Sequence, residues 1–224
     1  MNLAKHVLLV FLSLLLFQSE KVLAQDIEKI NPVDRSLIYP YHQTLDAIST
    51  AGAYTSLILP GISVLGHMDD GKVLMRYALM YGESFLLTTA TKELMKRTID
   101  RNRPYWYFGE IPPGEEDDYQ NSFPSGHTSY AFMGATFLSY TFSKEYPKSR
   151  FKWPVVAGSY AIATGVGVLR IRSGNHFFTD VIAGAAIGSF FGWIIPRLQL
   201  KTGDEQTNIS LYPRNNGLSL EVRF

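Results

Sequence analysis

The sequence contains no cysteine. That excludes a disulfide framework and any thiolate metal site, and it leaves packing as the source of stability. An excess of either charge is lacking as well: 21 Lys and Arg face 20 Asp and Glu, for a formal net charge of +1. A strongly basic nucleic-acid binder is thereby excluded, and no basic stripe interleaved with aromatics runs along the chain. Strand-rich segments and long internal repeats are also missing before the last few residues. At 224 residues the chain is long enough for one domain with a real core and short for two.

What is present is apolar helix. Lys5 and His6 precede an apolar run, Val7 to Phe17, broken by Ser13. The run is shorter than the about 20 residues that a membrane span needs. With Val22-Leu23-Ala24 ahead of Gln25, residues 1–24 read as a signal peptide, the alternative being a first membrane span. Residues 25–200 hold five apolar, helical stretches: about 45–65, interrupted by Pro60-Gly61, then 73–96, 125–142, 154–169 and 176–198. Small residues recur in the last two (Gly158, Ala163, Gly165, Gly167; Gly184, Gly188, Gly192), where they let helix backbones pack closely. Residues 201–224 form a polar tail. Its alternation from Leu218 to Phe224 after Asn215-Asn216-Gly217 predicts a small β-hairpin. The expected fold class is all-α: a bundle of about five or six helices, membrane-embedded, with a hairpin-like tail. The low charge of the last two helices and the cluster Lys144, Lys148, Arg150 and Lys152 in a short loop favour a membrane. Arg76 and Glu83 in the second helix, with a mean hydropathy of −0.01, leave a soluble bundle open.

The chemistry gathers at helix ends. In Pro124-Ser125-Gly126-His127, a turn leads into the third helix, whose first N–H groups attract an anion. Ser125 adds a hydroxyl donor, Gly126 permits close backbone approach, and His127 can move a proton near neutral pH. Lys96 and Arg103 are seven residues apart, two helical turns, with Pro104 read as the stop. Arg170 ends the fourth helix; His176 opens the fifth, with Asp180 one turn on. An up-and-down bundle brings these four ends to one side. Three cations can then neutralise a phosphate, two histidines can serve as nucleophile and acid, and a carboxylate can orient a ring. Each part has a plainer reading: a solvated helix end for Lys96 and Arg103, local structure for the His–Asp pair, a C-terminal cap for Arg170 and Arg172. Six such coincidences at one end of one bundle outweigh those readings taken singly. The acidic run Glu115-Glu116-Asp117-Asp118 reads as a solvated loop or an anion selector. Tyr105-Trp106-Tyr107-Phe108 reads as an interfacial belt or as core.

Together, Lys96-x6-Arg103-Pro104, Pro124-Ser125-Gly126-His127 and Arg170-x5-His176-x3-Asp180 resemble the three motifs of the type 2 phosphatidic acid phosphatase (PAP2) superfamily. The resemblance covers about Val73 to Leu198. It departs where the family usually has Ser before the third-motif arginine and this chain has Leu169. The resemblance implies a helical bundle and a metal-independent mechanism with no cofactor. It implies His176 as the nucleophile that becomes a phosphohistidine, oriented by Asp180, and His127 as the acid that later helps activate water. Lys96, Arg103 and Arg170, with Ser125 and the Gly126 N–H, would hold the phosphoryl oxygens. The expected protein is an exported inner-membrane phosphatase with a periplasm-facing site, acting on lipid A phosphate, undecaprenyl diphosphate or phosphatidylglycerophosphate, with a lean to lipid A. Its partners would be a phosphorylated lipid and the membrane, without nucleic acid. The alternatives are a soluble periplasmic acid phosphatase of broad specificity, a vanadium haloperoxidase and a non-catalytic lipid-headgroup binder.

Overall fold

The computed structural model describes residues 30–200, 208–214 and 217–223; the signal-peptide expectation for 1–24 lies outside them. A short helix α1, Pro32–Arg35, starts where the Asn31 side chain accepts from the Asp34 N–H. Helix α2, Gln43–Ile58, tightens into a 3-10 segment, Leu59–His67. Pro60 sits at the start of that segment, where its missing N–H interrupts the α ladder. Helix α3, Gly71–Thr98, is capped by Asp70, whose carboxylate accepts from the amides of Lys72 and Val73. A 3-10 turn, Pro104–Phe108, precedes α4 (Gly126–Glu145), α5 (Lys152–Arg172) and α6 (Phe178–Gln199). The five expected stretches are thus α2 with its 3-10 extension and α3 to α6. The tail forms the expected hairpin: β1, Asn208–Arg214, pairs antiparallel with β2, Gly217–Arg223, Leu211 opposite Leu220.

Helix α4 is the centre, packed by α2, α3, α5 and α6. One buried cluster (Ala53, Ala131, Ala135, Ala163, Val166) joins α2, α4 and α5, and a second (Tyr77, Met80, Phe137) joins α3 to α4. Two buried hydroxyls on α4 are satisfied along the helix, Ser129 donating to the Ser125 carbonyl and Thr141 to that of Phe137, both at 2.8 Å.

The small residues of α6 have a specific use. A Cβ on Gly184, Gly188 or Gly192 would lie 2.5, 2.0 or 2.5 Å from the backbone oxygens of Ser125, Ser129 and Met133. Both series step by four residues in the same sense, so α6 and α4 run parallel in backbone contact and start at the same end of the bundle. Gly134 makes a similar approach to α2, with the Ser56 carbonyl 2.1 Å from its hypothetical Cβ.

Gln43–His67, Lys152–Arg172 and Phe178–Gln199 are long and apolar enough to cross a membrane. Large apolar side chains such as Ile58, Leu86, Leu94, Trp153 and Phe190 point outward, a surface suited to lipid. The chain is accordingly a membrane protein.

The glycine seam yields a paired prediction. Gly188→Ala should destabilise the protein by about 1–3 kcal/mol, as overpacking does. Gly158→Ala, with nothing within 4 Å of the new Cβ, should stay within about 1 kcal/mol of the parent. Thermal unfolding in detergent measures both, and equal melting temperatures for the two variants would refute the seam.

Candidate active site

Lys92 and Lys96 lie one turn apart on α3, which ends at Thr98 with Ile99 already extended. Arg103 is therefore not on the helix, contrary to the two-turn reading of its spacing, and Pro104 is not what stops it. Residues 101–103 instead run beside 119–122: the Arg101 amide donates to Gln120 O (2.9 Å), that of Arg103 to Tyr119 O (2.7 Å), and that of Ser122 to Arg101 O (3.0 Å). This pairing returns Arg103 to the side of Lys96. Gly174, at φ 71°, makes the turn after α5. A Cβ there would sit 2.5 Å from the Pro40 carbonyl, so the position calls for glycine. The His176 amide then folds back onto Arg170 O at 3.1 Å.

His176 precedes α6 rather than opening it. Phe177 is the N-cap, and Asp180 in the first turn accepts the Phe177 N–H at 2.8 Å. The spacing of four still brings the pair together: His176 Nδ1 lies 3.8 Å from Asp180 Oδ2. At 2.8 Å from Nδ1, however, is the backbone carbonyl of Ser122. A carbonyl only accepts, so Nδ1 carries the proton and Nε2 keeps its lone pair. Asp180 secures this arrangement from behind. It accepts the Ser122 hydroxyl at 2.6 Å through Oδ2 and pairs with Arg101 through Oδ1.

A cavity of about 340 Å³ collects Lys92, Lys96, Arg103, Gly126, His127, Arg170 and His176. Six of the eight expected site residues meet there or at its wall. Ser125 and Asp180 stand behind it, fully buried. The Ser125 hydroxyl is 2.8 Å from that of Thr128, and its amide donates to Asp180 O at 3.1 Å. His127 Nε2 is 3.2 Å from Thr50 Oγ1. Lys92 packs over the start of α4, its Cδ 3.0 Å from where a Gly126 Cβ would be. The other side of the cavity is apolar: Ala53, Tyr54 and Leu57 from α2, with Phe85 from α3.

The acidic loop divides. Glu116 and Asp117 are exposed, as a solvated loop would be. Glu115 and Asp118 line the cavity, and Arg103 pairs with the Asp118 carboxylate, donates from Nε to its carbonyl at 3.1 Å, and lies 3.8 Å from Glu115. Arg170 pairs with Asp46, while its Nε is buried without an acceptor, a donor left over for an anion. Tyr105 belongs to the core, fully buried, with Tyr107 edge-on to Phe177. Lys92, Thr50 and Ser122 were not picked out as site residues in the sequence, and Glu115 and Asp118 only as part of a solvated loop or anion selector. Only Lys92 had a local signal, one turn before Lys96.

Burial, reinforced by the charges of Arg103, Arg170 and Lys96, holds the His176 imidazole well below the ordinary histidine range. The unliganded ring is therefore neutral. Among the described residues no cluster of three or more His, Asp or Glu could hold a metal.

The profile of the PAP2 superfamily matches residues 77–204, and the chain belongs to that superfamily. It is 41% identical over 91 residues to a lipid A 1-phosphatase of Porphyromonas gingivalis, covering 41% of this chain and 19% of that protein. The chain thus spans about a fifth of that relative's length. It is 29% identical over 162 residues to phosphatidylglycerophosphatase B of Bacillus subtilis, covering 69% and 73% of the two chains. Among solved structures, the crystal structure of Aquifex aeolicus LpxE is similar at TM-score 0.47 and 24% identity, over 73% of this chain and 92% of that one.

The buried neutral histidine has a signed pH consequence. Its folded-state pKa lies below the unfolded value of about 6.5, so below that pH the unfolded chain binds the extra proton and stability falls. Between about pH 7 and pH 5, a His176→Asn variant should lose less thermal stability than the parent. Identical pH slopes for the two proteins would show that His176 is not buried in its neutral form.

Proposed function

We propose that the protein is a metal-independent phosphatase of a membrane lipid, working through a phosphohistidine on His176. The observation that carries the chemistry is the contact between His176 Nδ1 and the Ser122 carbonyl, which leaves Nε2 as the free nucleophile. Burial and the neighbouring cations hold the His127 imidazole pKa down at about 3, and the negative charge of a bound phosphate would restore its proton. In the first step the Nε2 lone pair forms a bond to phosphorus as the phosphorus–oxygen ester bond breaks, and protonated His127 gives the leaving oxygen its proton. In the second, His127 takes a proton from water, the water oxygen bonds to phosphorus, and the phosphorus–nitrogen bond breaks to release phosphate. Lys92, Lys96, Arg103, Arg170 and the first amides of α4 would hold the phosphoryl oxygens and balance the charge of the transition state.

The lipid class follows from the other half of the cavity. Cations at one end and Ala53, Tyr54, Leu57 and Phe85 at the other suit a phosphate carried on an apolar body. The outward-facing apolar helices weigh against a soluble phosphatase of small esters. The relatives' substrates make lipid A phosphate and phosphatidylglycerophosphate the first candidates, with undecaprenyl diphosphate beside them. The site would face the periplasm, as expected for an exported chain of this family.

Phosphate release from a panel of envelope lipids should identify one preferred substrate, with vanadate inhibiting and chelators having no effect. His176→Ala should lower turnover by at least about a thousandfold, in the range that loss of a nucleophile causes, while a phosphate analogue still binds. Turnover retained in that variant, or lost to a chelator, would refute the mechanism.

A further inference from the structure

Arg101 falls between the two first-motif cations in sequence, yet it is absent from the cavity wall. Its guanidinium lies behind the histidine loop, 4.3 Å from the centroid of the Phe177 ring. Nη1 donates to Thr179 Oγ1 at 2.8 Å and to Asp180 Oδ1, and Nη2 to Asp34 Oδ2 at 2.6 Å. Asp34 comes from α1, 67 positions earlier in the chain. It is fully buried and accepts from the Thr179 amide (2.9 Å), the Thr179 hydroxyl (2.6 Å) and the Asn31 side chain (2.5 Å) besides Arg101. Burial alone would raise its pKa, but the donors from Thr179, Arg101 and Asn31 outweigh that and hold the carboxyl below its usual range. A buried carboxylate that stays charged is costly unless fully paired. This one is fully paired, and it does not line the cavity.

We propose that Asp34 and Arg101 are positioning residues for the histidine nucleophile, forming with Asp180 an alternating row of charges behind His176. The inference rests on the phosphohistidine reading of the site. When Nε2 bonds to phosphorus the imidazole becomes positive, and Asp180, 3.8 Å from Nδ1, is the anion that offsets that charge. Arg101 fixes Asp180 in place. Alone, it would also neutralise the carboxylate on which the imidazolium depends. Asp34 takes up part of the guanidinium charge and one edge of its donors, so Asp180 is held without losing its field. The Ser122 hydroxyl on the same carboxylate, and its carbonyl on Nδ1, carry the alignment to the ring.

The test uses the full chain in detergent, comparing wild type with Asp34→Asn, Arg101→Met and Arg101→Lys. It measures lipid-phosphate turnover, trapped phosphoenzyme, vanadate inhibition and thermal unfolding. Asp34→Asn and Arg101→Met should lower kcat and the rate of phosphoenzyme formation at least about tenfold, the scale of a misaligned nucleophile. KM and vanadate affinity should stay within about threefold, because neither residue lines the cavity. Arg101→Lys should recover part of kcat, and it carries the test where the methionine variant does not accumulate as folded protein. Vanadate affinity falling in step with kcat would mean a merely structural role and overturn the proposal. So would kcat within twofold of wild type in Asp34→Asn and Arg101→Lys. Wild type that forms no phosphoenzyme overturns the functional reading and this inference with it; wild type that forms it, with unaffected variants, overturns this inference alone.

Discussion

The backbone contact between α4 and α6 decides where every other part of the site can be. Gly184, Gly188 and Gly192 leave the carbonyls of Ser125, Ser129 and Met133 no room for a side chain, and the two parallel helices consequently start side by side. Two positive helix ends therefore meet at one place, and they are used differently. That of α6 is occupied internally: Asp180 accepts the Phe177 amide, which anchors a carboxylate beside His176. That of α4 has no side-chain cap, so its first amides stay available to an external anion. One seam of small residues thus sets the end that holds a carboxylate beside His176 next to an end open to an external anion.

Gathering Lys92, Lys96, Arg103 and Arg170 around one cavity without a ligand is electrostatically unfavourable, and the chain offsets it with carboxylates. Asp118 and Glu115 face Arg103, Asp46 pairs with Arg170, and Glu93 pairs with Lys92. These partners differ in burial. Asp34 and Asp180 are sealed in the interior, whereas Glu115 and Asp118 are about a third or more exposed at the rim. Pairs that reach solvent are worth little and exchange readily; sealed ones are not given up. On the proposed reading, an arriving phosphate would displace the rim carboxylates from Arg103 while the row behind His176 stays intact.

The helices were legible in the sequence because five apolar stretches separated by polar segments set their number and parity, and parity alone placed the motif residues at one end. The hairpin was legible from Asn215-Asn216-Gly217. What local spacing misread was the backbone carrying two of those residues. Arg103 was assigned to the end of α3, but residues 101–103 pair with 119–122, a tertiary contact that no periodicity encodes. His176 and Asp180 were placed on one helical face, yet the histidine lies before the helix. The expected residues do meet around one cavity, but by a partly different route from the one their spacing suggested. The contributions of Thr50, Ser122 and Asp34 had no local signal at all, since each depends on a partner more than fifty positions away.

The same seam also constrains how a substrate can arrive. Between α4 and α6 the backbones touch, so nothing passes there. On the opposite side α3 packs on the 3-10 extension of α2, and Tyr81 on α3 bridges to the Leu57 carbonyl of α2 at 2.8 Å. Above that bridge the cavity wall is Tyr54, Leu57 and Phe85, and Tyr54 is 63% exposed. In a membrane, a wall lined this way would exchange one apolar contact for another against an acyl chain, at little cost in solvation. The phosphate of such a molecule would travel toward increasing positive charge until it met the open end of α4. Close packing of α4 on α6 and the apolar cavity wall on α2 and α3 are therefore two halves of one arrangement: on the proposed reading, the first would fix the nucleophile and the second would receive the lipid.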